Sequence, residues 1–249
     1  YNKAKRLEET MTQKDLEKRI KDAQQPLVVT GAGVSTLSGV PDYTTMQGME
    51  LNNRYFQARE ILSRPFFQAY SREFWIWHKQ QFLQKLEPNK VHRWIAKQTV
   101  PVLTQNIDGL HRLAGSKDVI EFHGKADKGI CQICLQEIDL RDEQAIMEHA
   151  HGLTSRDPLA ILADHVDTQI ILYGDAIDSC NLALAASWTQ SSDCILVIGS
   201  TLEVYPLAGL VLQENPNKII WLDKTKNEVA RSHPDIRFIQ TDFRDFFED

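Results

Sequence analysis

The sequence predicts an α/β fold: a parallel sheet covered by helices on both faces, interrupted by two stretches that break the strand rhythm. Three observations predict it. Short apolar, β-branched runs recur at Leu27–Thr30, Val102–Thr104, Val119–Phe122, Gln169–Tyr173, Cys194–Gly199, Ile219–Leu222 and Ile236–Ile239. Their apolar character is continuous rather than alternating, which suits strands buried on both sides. Helix-period segments lie between them, which implies parallel strands joined by crossovers.

Taken in order, Thr12 caps a first helix with Leu16, Ile20 and Ala23 on one face, and Pro26 stops it. Leu27–Thr30 then runs into a glycine turn. Residues 44–100 carry Phe56, Phe66, Phe67, Phe74, Trp75, Trp77, Phe82 and Trp94 at helical spacing, and read as a small helical module with an aromatic core. Residues 125–168 are polar, open with Cys131-Gln132-Ile133-Cys134, and read as a second insert. The large domain is therefore expected over 1–43, 101–124 and 169–249, and the small one over 44–100 and 125–168.

Composition narrows the function classes. A chain of 249 residues buries roughly 70–75% of its unfolded surface and needs no staple to fold. Lys and Arg number 28 against 34 Asp and Glu, a net charge of −6, so no bulk basic field exists to hold nucleic acid or an anionic membrane. No apolar run approaches the roughly 20 residues of a membrane span. The charged opening residues show no secretory signal. Cys131, Cys134, Cys180 and Cys194 are too few and too unevenly spaced for a disulfide framework. A cytoplasmic protein is expected.

The chemistry-bearing residues follow strands. Gly31-Ala32-Gly33-Val34-Ser35 ends the first strand, and its glycines allow backbone N–H groups to approach a phosphate. The third glycine of the dehydrogenase fingerprint would fall at Thr36, and no acidic residue ends a second strand about 20 residues on, so a hydride-transferring enzyme is disfavoured. Gln105, Asn106 and Asp108 follow Val102–Thr104, either as ligand contacts or as a helix N-cap. His123 follows Val119–Phe122, either as a general base or as a structural histidine.

The longer string Gly31-Ala32-Gly33-Val34-Ser35-Thr36-Leu37-Ser38-Gly39-Val40-Pro41-Asp42-Tyr43 resembles the signature of the sirtuin (Sir2-like) family of NAD-dependent protein deacylases. So do Thr104-Gln105-Asn106-Ile107-Asp108-Gly109-Leu110-His111 and Glu121-Phe122-His123-Gly124. Tyr173-Gly174-Asp175, Gly199-Ser200-Thr201 and Trp221-Leu222-Asp223-Lys224 follow in the family's order. The resemblance implies a Rossmann-like large domain, a small domain made of the two inserts, and a substrate cleft between them. It implies NAD as cofactor, an acyl-lysine protein or peptide as partner, and release of nicotinamide and O-acyl-ADP-ribose. On the same ground Gly31, Ala32, Gly33 and Ser35 would hold pyrophosphate, while Asp42 and Tyr43 would cover ribose and nicotinamide. Gln105, Asn106 and Asp108 would hold the nicotinamide end, with Asn106 and His123 catalytic. Gly199, Ser200, Thr201, Asp223 and Lys224 would take the remaining cofactor contacts, and Ile171, Tyr173, Gly174 and Val204 the acyl-lysine substrate. His92 and His111 read as structural.

Five features set against the family pattern matter. Thr44 stands where the family usually has Arg, which leaves mono-ADP-ribosyl transfer, NAD hydrolysis or a low-activity NAD-binding sensor as alternatives to deacylation. Asp175 replaces the usual Glu. Asp223 replaces the usual Asn; its carboxylate can accept both ribose hydroxyls and should repel a 2′-phosphate. Phe74-Trp75-Ile76-Trp77-His78 contains no Arg where relatives acting on acidic acyl groups carry one, so a neutral acyl group is favoured. Finally, only Cys131 and Cys134 remain of a four-cysteine zinc site. The expectation is a metal-free insert held by Leu135, Ile138, Leu140, Ile146 and Leu153; the alternative is a Cys₂His₂ set completed by His149 and His151.

Overall fold

The computed structural model describes residues 11–41 and 45–248. Among them run the strands β1 (Pro26–Thr30), β2 (Met49–Leu51), β3 (Arg54–Phe56), β4 (Val102–Thr104), β5 (Val119–Glu121), β6 (Gly124–Cys131), β7 (Glu137–Asp139), β8 (Val166–Ile170), β9 (Cys194–Ile198), β10 (Ile219–Asp223) and β11 (Arg237–Gln240). Six of them form one parallel sheet in the order β11-β10-β9-β1-β4-β5. Continuous apolar runs end up here because both faces are buried. Val28, Val102, Leu196 and Leu222 pack under Leu16, Ile20, Trp94 and Phe247. Their neighbours Val29, Leu103, Val197 and Trp221 pack under Ala185, Leu207 and Val211 on the opposite face.

The first helix, Gln13–Asp22, begins at the Thr12 cap, where the Thr12 hydroxyl accepts from the Asp15 N–H and the Asp15 carboxylate reaches back to the Thr12 N–H. Leu16 and Ile20 are its buried face; Ala23 falls just past its end. Pro26 opens β1 instead of stopping the helix directly.

The expected strand Gln169–Tyr173 does not join the parallel sheet. The observed β8 ends at Ile170, alternates buried and half-buried side chains, and pairs antiparallel with β6. Asp167, Thr168 and Gln169 explain this: a strand carrying that many polar groups cannot be covered on both faces. β6, β7 and β8 instead form a three-stranded sheet of their own. Helices Ser71–Phe82 and Pro158–His165 pack against it, and Phe66, Phe67, Phe74, Trp75, Trp77 and Phe82 fill the shared core. Each such fully buried ring contributes about 1.5–3 kcal/mol or more. Helix Lys90–Gln98, although it follows the aromatic module, places Val91, Trp94 and Ile95 in the core of the large sheet.

Candidate active site

The chain leaves β1 toward β4 and β5, then returns to the other side of β1 for β9 and β10. Connections therefore diverge at the carboxyl ends of β1 and β9, the place where open α/β sheets form a ligand crevice. The turns after these two strands touch. The Gly33 N–H donates to the Gly199 carbonyl at 2.9 Å, and the Gly31 N–H to the Ile198 carbonyl at 3.2 Å. A Cβ on Gly33 would lie 2.9 Å from Gly199 Cα, and one on Gly199, which sits at φ +62°, would lie 2.6 Å from the Val34 nitrogen. Glycine is required at both positions because two backbones pass where a side chain would be.

The segment after β4 converges on the same spot. Thr30 and Thr104 are in register on adjacent strands, and the Thr30 hydroxyl donates to Thr104 Oγ1 at 2.8 Å. Thr104 Oγ1 also accepts the Asn106 N–H at 3.0 Å, which turns the chain and buries Asn106. The Asn106 amide donates to the Gly31 carbonyl at 3.0 Å and to Ser35 Oγ at 2.9 Å. Ser35 in turn donates to Asp108 Oδ2 at 2.6 Å. Burial pushes the Asp108 carboxyl above its ordinary value, against the pull of Ser35 and the Leu110 N–H. Gln105 has three ties: its N–H to the Thr30 carbonyl, its Oε1 from the Ser200 hydroxyl at 2.6 Å, and its carbonyl to His123.

The last tie sets the state of His123. Its Nδ1 lies 3.2 Å from the Gln105 carbonyl. A carbonyl only accepts, so Nδ1 carries the proton and Nε2 keeps its lone pair. Burial lowers the pKa of the ring, and the Gln105 carbonyl offsets this in part. The result is a neutral imidazole at pH 7, able to accept a proton at Nε2. Gly124, at φ +90°, turns the chain immediately after it; a Cβ there would lie 1.8 Å from the Gln169 carbonyl oxygen.

Other expected residues are distributed around this cluster. Ile171 is half-buried, while Tyr173 and Gly174 are exposed in the turn that follows β8. Val204 lies before helix Leu207–Leu212, and the Thr201 carbonyl accepts from Asn227 Nδ2 at 2.8 Å. Asp223 ends β10, and burial raises its carboxyl pKa. Lys224 is directed to Asp242, at 3.5 Å. Asp42, Tyr43 and Thr44 lie outside the described residues.

Sequence reasoning missed the layer behind the site. Thr30 Oγ1 lies 2.8 Å from His111 Nε2, and Ser35 Oγ 3.4 Å from His92 Nε2. Both rings are buried, which lowers their pKa values to about 4 and about 3 respectively. These two histidines back the hydroxyls of Thr30 and Ser35, which organise the crevice. The available signal was a hydroxyl at the end of β1, Thr30, and another in the turn that follows it, Ser35.

A second cluster lies in the three-stranded sheet. Ligand atoms of Cys131, Cys134, His149 and His151 all lie within 4.8 Å of one another. Cys131 Sγ is 3.1 Å from His151 Nε2, and Cys134 Sγ 3.3 Å from His149 Nδ1. Burial raises the Cys131 thiol, but the N–H groups of Cys134 and Ile133 outweigh it and leave the pKa lowered. Leu135 and His151 both adopt positive φ, +62° and +44°. Four N and S donors, two of them thiols, are the donor set of a structural zinc site. Ile138, Leu140 and Ile146 are buried as expected of a metal-free insert, but Leu135 is 76% exposed and holds nothing. The geometry fits the alternative, a Cys₂His₂ set.

A pocket lined by Ala32, Ser35, Pro41, Phe82, Asn106 and Asp108 opens beside the first cluster. A larger cavity of about 780 Å³ lies past Asp108, between helices Ser71–Phe82 and Pro158–His165. None of the glycine-turn residues line it. The site follows the convergence of polar groups, not cavity volume.

A parallel sheet with a glycine crevice at its reversal point, a polar cluster and a neutral histidine defines a nucleotide-binding α/β protein. The Sir2 family model matches residues 31–206, and the chain belongs to that family. It is 31% identical over 228 residues to an NAD-dependent protein deacetylase of Clostridium tetani, covering 88% of this chain and 90% of that one. Another, from Staphylococcus aureus strain NCTC 8325, is 34% identical over 206 residues, covering 79% and 81%. Among solved structures, Sir2Tm bound to a propionylated peptide superposes with a TM-score of 0.73 at 26% identity, over 93% of this chain and 94% of that one. A Sir2–p53 peptide–NAD⁺ complex gives 0.73 at 25%, over 93% and 94%.

Proposed function

We propose that this chain is an NAD-dependent protein-lysine deacylase, with an acetyl group or another neutral acyl group as its substrate. Family membership supports this. The observation that carries it is His123, held by the Gln105 carbonyl with a free Nε2 at the crevice where the glycine turn, Asn106 and Ser200 meet.

Bound NAD supplies an ADP-ribosyl group whose bond to nicotinamide can break. In this reading the turns at Gly31–Ser35 and Gly199–Thr201 hold its phosphates and a ribose through backbone N–H groups and hydroxyls. Asp223, at the end of β10, accepts from the adenosine ribose hydroxyls. Asn106 and Asp108 orient the nicotinamide end, and Asp42 and Tyr43 cover it. His123 Nε2 takes the proton of a ribose hydroxyl. Ile171, Tyr173, Gly174 and Val204 bind the acyl-lysine segment by adding backbone to backbone. Phe74-Trp75-Ile76-Trp77-His78, with no Arg where relatives acting on acidic acyl groups carry one, favours a neutral acyl group. Cys131, Cys134, His149 and His151 hold a structural zinc ion that stiffens the small lobe. The domain division at the two inserts belongs to the same reading, as does a cytoplasmic, reducing location in which these thiols stay unoxidised. Among the described residues, no helix is long and apolar enough to cross a membrane.

Incubation of the protein with NAD and an acetyl-lysine peptide, read by mass spectrometry, tests it. Free lysine peptide with O-acetyl-ADP-ribose supports deacylation. A mass gain of ADP-ribose on protein supports the transferase alternative that Thr44 leaves open. Binding of NAD without products supports a sensor.

A further inference from the structure

We infer that Arg64 is a positioning residue for the acyl-lysine loop, clamping the far end of Ile171–Asp175 whose near end is tied to His123. The inference rests on the deacylase reading for its consequence and on the geometry for its substance.

Arg64 opens helix Arg64–Ala69, after the Ser63 cap and before Pro65. Its backbone N–H donates to the Tyr173 carbonyl at 3.0 Å, and the Tyr173 N–H donates to the Leu62 carbonyl at 2.8 Å. A segment of the aromatic module thus runs beside the loop as a short parallel bridge between Ser63 and Tyr173. The guanidinium completes the hold. Nε and Nη2 donate to the two oxygens of Asp175 at 2.8 and 2.7 Å, and Nη1 donates to Asp167 at 2.7 Å. This is the fork geometry that only arginine offers, and bidentate charge-assisted bonds of this kind are among the strongest side-chain contacts.

The partners are only partly wet: side-chain exposure is 24% for Arg64, 20% for Asp175 and 35% for Asp167. The attraction is therefore less screened than in a surface pair. Asp175 passes the constraint on, because its Oδ2 accepts the Leu172 N–H at 3.1 Å and its own N–H closes a turn on the Leu172 carbonyl at 2.9 Å. Gly174, at φ +102°, sits at the tip of that turn. At the other end the Ile171 N–H donates to the His123 carbonyl at 2.9 Å. Between these fixed ends, Tyr173 and Gly174 face solvent. Without the guanidinium, two carboxylates that now share one cation would face each other, and the loop would keep only its backbone bonds, to His123 at one end and to Leu62 and Arg64 at Tyr173.

The test uses Arg64→Ala and Arg64→Lys in the full chain, with thermal melting to establish that each folds. Steady-state kinetics should show the KM for acetyl-lysine peptide raised about tenfold in Arg64→Ala, with kcat and the Kd for NAD within about twofold of the parent, as expected when a substrate-orienting group is loosened. Arg64→Lys keeps the charge without the fork and should fall between. A parallel loss in kcat, NAD binding and peptide KM, or no change in any, would overturn the inference. Amide hydrogen exchange supplies a readout independent of activity. Exchange at Ile171 and Tyr173 should rise about tenfold or more in Arg64→Ala while β1 and β9 stay protected. Unchanged exchange at these amides overturns the inference even if the protein proves not to be a deacylase. A parent protein that leaves the acetylated peptide intact refutes the deacylase reading and leaves the exchange result to decide the role of Arg64. Should Arg64→Ala not fold, the same two measurements on Arg64→Lys decide.

Discussion

The Ile171 N–H donates to the carbonyl of His123 at 2.9 Å, so the residue read as the proton acceptor and the loop read as the substrate rest share a backbone hydrogen bond. One backbone bond thus ties the two elements directly, while the Arg64 guanidinium holds the far end of the loop. Replacing His123 with Ala should leave this bond intact. Turnover should fall about 10²–10⁴-fold with NAD affinity little changed, measured by nicotinamide release and by calorimetry.

The acid limb of the rate profile should follow His123. Burial lowers its pKa from the ordinary 6.5. The ring therefore stays neutral as pH falls through 6.5, and kcat/KM should decline only below that value. A decline centred above 6.5 would contradict the burial of the ring.

Stability should also depend on pH, through His78, His92 and His111. Burial depresses their folded pKa values from 6.5 to about 3, about 3 and about 4. The unfolded chain binds these protons more readily, so their stabilisation is present above pH 6.5 and is lost as pH falls toward 4 and 3. Urea unfolding midpoints should drop steeply over that window. His78→Phe should flatten the drop, since it removes a fully buried titratable ring that has at most a weak backbone contact at Ala126 to lose.

Plasma mass spectrometry should find about one zinc per chain. His149→Ala or His151→Ala should reduce the zinc content and lower the melting temperature, and a chelator should lower the parent's melting temperature. Cys180→Ser, an exposed thiol outside the cluster, should change neither.

Gly199→Ala should destabilise the fold by about 1–3 kcal/mol, because the added Cβ meets the Val34 nitrogen at 2.6 Å on a backbone at φ +62°. Dinucleotide binding should be lost in the same variant at temperatures where it remains folded. Asp223→Asn should narrow the preference for NAD over NADP by removing the carboxylate that repels a 2′-phosphate, as read by competitive binding.

Much of this was legible beforehand, for identifiable reasons. Strands such as Cys194–Ile198 announce themselves because burial on both faces demands an unbroken apolar run. The glycine turn, Gln105–Asp108 and His123 stand at strand ends, where a sheet of this topology gathers its polar groups. The expectation of a strand over Gln169–Tyr173 falls late because Ile170, Ile171 and Leu172 continue the apolar character past the true end of Val166–Ile170, and the antiparallel partner β6 leaves no local signal in β8. The Cys₂His₂ cluster was hard to see for a different reason. His149 and His151 reach the cysteines only through a backbone turn at positive φ, which His151 and Gly152 adopt and no spacing rule encodes. Arg64 carried no signal at all, since its three partners lie more than 100 residues away.

The placement of β1 has a kinetic consequence. Its neighbours are β4 and β9, and the Gln24 N–H that precedes it is bonded to Asp193, 169 residues later. A nascent chain leaving the ribosome must therefore carry the first strand of its central layer unpaired on one edge until the second half has been translated. Such long-range closure is slow, and it leaves the waiting edge of β1 open to wrong pairing during synthesis.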